Sequence, residues 1–175
     1  MPYLCLLIYF VFFAAVAMTV AEGLWSNTLT LLAIVICGPL AIAVGYPLGL
    51  LLQEKIDKPV EQTWYFVFAG VWLVFFLSMM ILRLLLERVA SKSRMKFIPP
   101  LEAAAGPLMG LVVAAVFASF LTFTLYSMPI RSGEWKWSEA ASWQQTTFKS
   151  GSGPFYAILK AMAGQETADM ALPRS

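Results

Sequence analysis

Histidine is absent from all 175 residues, and only two cysteines occur, Cys5 and Cys37. Without imidazole, triads and most acid–base relays lose their usual proton carrier. A zinc site would need more thiols or histidine partners, and a disulfide framework would need more cysteines. Both thiols lie in apolar runs and read as small buried apolar groups. Charge is also scarce: Asp, Glu, Lys and Arg make up 13% of the chain, about half the share of a soluble domain. A net charge of +2 and a pI of 8.6 are too balanced to recruit nucleic acid. Phosphate-loop and dinucleotide fingerprints are missing. No cofactor, no metal and no enzymatic activity are expected.

What the chain has is apolar surface. Hydrophobic residues make up 60% of it and the mean hydropathy is +0.76. The excess is concentrated in four runs, at 2–20, 29–52, 64–86 and 101–128, each close to the ~20 residues that cross ~30 Å of hydrocarbon. The expected fold is therefore an all-α membrane protein: four transmembrane helices with short loops over 1–130, and an outward-facing amphipathic C-terminal tail over 131–175. No Lys or Arg precedes the first run, so it reads as a span rather than a cleaved signal. Gly38-Pro39 and Pro47 would break a soluble helix but are tolerated as kinks in a membrane.

Basic residues in short loops set topology. Arg88, Lys92, Arg94 and Lys96 cluster between the third and fourth runs, against Lys55 and Lys58 between the second and third. The 88–96 loop is expected in the cytoplasm, with both termini and the 53–63 loop outside. Interface positions are expected at Trp64 and Arg83, and in the tail at Trp135, Trp137, Trp143, Phe155, Ile158 and Leu159. The tail is read as two interfacial helices, about 137–148 and 154–163, joined by a Gly-Ser-Gly linker at 151–153. Arg83 is about one turn from the basic loop, so its stem should lie along the helix while the guanidinium reaches the head groups; Glu87 is its nearest acidic neighbour in sequence.

In lipid, helices associate through close backbone approach at small residues. Ala41, Gly45 and Gly49 form one such seam, and Gly106, Gly110, Ala114 and Ala118 another. The second and fourth spans are expected to pack through them, with each other or between copies in a homo-oligomer. Transport chemistry finds little support: the spans carry only Thr30, Ser78, Ser119, Thr122 and Thr124, hydroxyls that commonly bond to the carbonyl of the preceding turn.

The segment Glu102-Ala-Ala-Ala-Gly106-Pro-Leu-Met-Gly110 resembles the fourth-span signature of the colicin V production (CvpA-type) family, with Glu102 in place of its usual aspartate. Glu22-Gly23 is similar to the family's polar-glycine turn, and 130–138 to its outer Trp/Ser segment. Two arginine positions depart from the pattern: Glu22 and Asn27 stand in the first turn region, and Val113 and Ala114 after the second glycine. The resemblance implies a multi-pass bacterial inner-membrane protein associated with colicin V production or export and with envelope maintenance. The expected role is a non-enzymatic scaffold that meets the bilayer and unidentified membrane or envelope proteins through its tail. The alternative is a small oligomeric pore built on the glycine ladders.

Overall fold

The structure is a computed structural model that describes residues 2–55, 60–90, 99–126 and 141–164. It is all-helical: α1 (Pro2–Thr19), α2 (Leu24–Glu54), α3 (Val60–Ala90), α4 (Pro99–Tyr126) and α5 (Ser142–Ala163). Pro2 and Pro99 occupy first turns, where a missing N–H costs nothing. Pro39, Pro47 and Pro107 lie inside helices that continue through them. Among the described residues, α2, α3 and α4 are long and apolar enough to cross a membrane, and α1 is a shorter apolar helix.

Neighbouring contacts define the directions. Thr19 meets Gly110 while Cys5 clusters with Leu121 and Leu125, so α1 is antiparallel to α4. Asn27 meets Gly106 and Gly38 lies near Phe120, so α2 and α4 run together. Gly45 meets Val71 and Gly49 meets Val67, so α3 folds back on α2. The α1–α2 turn, the end of α3 and the start of α4 therefore share one end of the bundle.

The most buried helix is α4: 61% of its apolar window is enclosed, against 33% in α2 and 22% in α3. Its Val113, Phe120 and Phe123 join Ile34, Cys37 and Ala41 from α2 and Val71 and Phe75 from α3 in one core. Phe75 stacks on Phe120 with ring centroids 4.5 Å apart, and Phe120 meets Phe155 edge-on at 4.9 Å. The outward residues are as apolar as the core. Leu6, Phe10 and Phe13 on α1, Leu32, Ile36 and Leu40 on α2, and Leu73, Leu77 and Leu84 on α3 are all exposed. Such a surface is tolerable only against lipid or another apolar face.

The seams close differently from the sequence expectation. Gly45 and Gly49 face α3 rather than α4: a Cβ on Gly45 would fall 2.5 Å from Val71 Cα, and Gly70 reciprocates, its Cβ position lying 2.8 Å from the Gly45 carbonyl oxygen. The ladder on α4 faces α1 and the α1–α2 turn at Gly106 and Gly110, while Ala114 is fully buried. Small residues permit close approach without specifying the partner, and here connectivity chose the adjacent hairpin for α2.

The tail also differs. One helix, α5, runs through Gly151-Ser152-Gly153-Pro154 where two helices and a linker were expected. Phe155 and Leu159, expected at the membrane interface, do not lie against lipid: both are buried against α4 and α2, and Phe148 joins Cys5, Ile8, Leu121 and Leu125.

 Ile158 is half-buried and Trp143 is exposed. Gly151 lets α5 come close to α4, seated on Thr122. Pro154 has no N–H to give to Ser150, and the next amide, Phe155 N–H, donates to Ser119 Oγ at 2.9 Å. Ser119→Ala is expected to lower stability by about 1 kcal/mol, read as a fall in the thermal midpoint of the detergent-solubilised chain. An unchanged midpoint would show that the bond contributes nothing.

Candidate functional site

The polar groups of the bundle collect where the α1–α2 turn crosses α4. α1 ends at Thr19, whose hydroxyl lies 2.8 Å from Ala15 O and 2.9 Å from Gly110 O, one hydrogen serving two carbonyls. Glu22 N–H donates back to Thr19 O at 3.0 Å, closing the turn, and α2 starts after Gly23 with Asn27 N–H donating to Gly23 O at 3.1 Å.

Asn27 is the hub. Its side chain is fully buried, and Nδ2 faces three carbonyl oxygens: Thr19 at 2.9 Å, Gly106 at 3.1 Å and Glu22 at 3.2 Å. One amide group thus ties the end of α1, the turn and α4 together. Among the described residues its Oδ1 has no hydrogen-bond partner. That arrangement favours rigidity, because the two amide hydrogens are more than matched by acceptors while the oxygen contributes only its desolvation cost.

The glycines of the family-like motif make this contact possible. A Cβ on Gly106 would stand 3.4 Å from Glu22 O, in ordinary contact, whereas one on Gly110 would stand 2.8 Å from Thr19 O. Gly110 is therefore the tighter of the two. Glu102 is in the first turns of α4, and its side chain is outside the described residues.

Beside the hub, Glu22 joins α3 to the turn. Ser26 Oγ donates to Glu22 Oε2 at 2.7 Å, and Arg83 Nη2 lies 3.8 Å from Glu22 Oε1. Arg83 thus reaches a carboxylate across the bundle, because the antiparallel α2–α3 hairpin returns it to the level of the first turn; the side chain of Glu87 is outside the described residues. The Arg83 side chain is 50% exposed, in keeping with a head-group position. Arg88 is exposed near the end of α3. Lys92, Arg94, Lys96, Trp135 and Trp137 lie outside the described residues, as does the side chain of Trp64.

Sequence reasoning missed Asn27, Ser26 and Gly70. Asn27 carried a usable signal, a lone amide at the edge of a long apolar run, where a polar side chain must find partners. Gly70 carried none, since Phe66 and Val74 flank it at helical spacing. Thr30, Ser78, Thr122 and Thr124 donate to carbonyls of the preceding turn as expected, whereas Ser119 accepts from the Phe155 N–H of α5. Among the described residues no cluster of three or more metal-ligating side chains occurs.

These features define an all-helical protein with three helices able to span a membrane, braced at one end by buried polar contacts. The chain belongs to the colicin V production protein family, whose model matches residues 4–149. No curated protein and no solved structure matches it. Membership associates the chain with membrane proteins of toxin production.

Proposed function

We propose that the protein is a four-span, non-enzymatic scaffold of the bacterial inner membrane, acting in toxin production or export and in envelope maintenance. In this reading α1 crosses the membrane together with α2, α3 and α4. The observation that carries it is the packing of α4, whose inward face is filled by α1, α2 and α5. A filled centre favours a rigid platform. The glycine ladders on which a pore would be built are engaged within one chain, which supports the scaffold over the pore.

The shared end supports the proposed orientation. Glu22, Arg83, Asn27 and Gly106 lie together, so α3 ends and α4 begins at that end, on either side of the basic 88–96 stretch in sequence. Its Lys and Arg residues support a cytoplasmic position for that end, with both termini in the periplasm. The exposed residues of α5, among them Trp143, Lys149, Lys160 and Met162, are then the outward surface for membrane or envelope partners.

Reporter fusions test the topology: a periplasm-dependent phosphatase should be active after Val60 and silent after Met95. Activity at Met95 would overturn the orientation. A photo-crosslinker at position 143 should capture envelope proteins, while planar bilayers holding the purified chain should stay silent. Reproducible conductance altered by Gly106→Leu would replace the scaffold with the pore.

A further inference from the structure

α5 returns into the bundle instead of capping it. Gly151 lies on Thr122 and the Phe155 N–H donates to Ser119 Oγ, so α5 runs antiparallel to α4. The Phe155 ring meets Gly38, which follows Asn27 along α2 by about three turns, or about 16 Å. Lys160 lies further along α5 toward the braced end, about 8 Å into the apolar zone from the level of Asn27. Lys149 stands on the other side of Phe155, near the opposite end of α4. Their spacing brings the two lysines to one helical face, three turns and about 16 Å apart.

That face is open. Lys149 and Lys160 are exposed, and among the described residues neither forms an ion pair. The hydroxyls beside them are spent within the helix, Thr146 on Ser142 O and Ser150 on Thr146 O. Between the lysines a Cβ on Gly153 would meet nothing within 4 Å, and Ala157 is exposed one turn further on. A cation at hydrocarbon depth calls for a counter-charge, and small residues beside it let another helix come close. A second copy does not supply that charge from its spans, since no Asp or Glu occurs in 2–21, 23–53, 62–86 or 103–126. Taking α5 as the partner surface, on which this rests, we infer that it docks a membrane helix of another protein that carries two carboxylates three turns apart. One carboxylate meets Lys149 and the other Lys160, with Gly153 and Ala157 at the crossing.

The test uses the full-length chain in phosphatidylcholine vesicles with a synthetic apolar helix of about 20 residues. One form of the peptide carries two Glu residues three turns apart, the other Gln at the same positions, and energy transfer from a labelled chain reports binding. The Glu peptide should bind about fivefold more tightly, within the range of polar contacts between membrane helices. Lys160→Met should bring the two peptides within about twofold of each other, and Lys160→Arg should keep most of the preference. Gly153→Leu, which adds bulk where nothing stands, should weaken both peptides at an unchanged thermal midpoint. Equal binding of the two peptides to the natural chain would show that lipid head groups satisfy the lysines and would overturn the docking face, as would an undiminished preference in Lys160→Met. Energy transfer between two labelled copies that Gly153→Leu abolishes would make a second copy the occupant and overturn the acidic partner. The peptide ratio is read on the purified chain, so its failure is distinct from failure of the crosslinker at position 143 to capture envelope proteins.

Discussion

Gly49→Leu is expected to destabilise the bundle by about 3 kcal/mol or more, the upper range for overpacking. The position of its Cβ is already taken by the Val67 backbone, and Phe66 O and Val67 N lie 3.1 Å away. Backbone cannot step aside as a flexible side chain does, so α2 and α3 would have to separate along their shared seam. Gly70, whose Cβ position lies 3.2 Å from Gly49 Cα, removes any slack on the other side. Unfolding of the purified chain in mixed micelles measures the effect. Gly153→Ala is the control: nothing stands within 4 Å of that position, and a change within about 0.5 kcal/mol is expected. Equal stabilities for the two variants would mean that the seam is not closed.

Asn27→Asp is the second large effect, with a loss of about 3 kcal/mol or more. The substitution keeps the shape but turns an N–H donor into oxygen, aimed at the carbonyls of Thr19, Glu22 and Gly106. Asn27→Leu removes the donor without adding a charge and should cost about 2 kcal/mol. The order matters more than either value. In the same micelle assay, Asp should be worse than Leu, and the reverse order would mean that the amide does not hold the junction.

Much of this architecture is legible in the residues themselves. The apolar runs place the long helices because hydrophobic length is a local property, and the observed ends of α1 and α4 fall within two residues of the expected ones. The glycine and alanine spacing marks faces that must pack closely. Arg83 reads as an interface residue because it is near a helix end. The tail was less legible. Phe155, Ile158 and Leu159 announce an apolar stripe, but a stripe fits a lipid surface and a protein groove equally well, and only the groove offered by α4 and α2 decides between them.

Chemistry along the chain alone determined that this polypeptide is helical, apolar and built on close-packed small residues, and its motif around Gly106 and Gly110 pointed to the family that the wider match assigns. Tertiary structure alone decided which seam meets which, that Arg83 pairs with Glu22, and that Asn27 gathers α1, the turn and α4. The division has a physical cause. Helix formation and membrane partition depend on neighbours a few residues apart, whereas pairing of seams and buried hydrogen bonds joins positions up to 91 residues apart, and no local pattern specifies the partner.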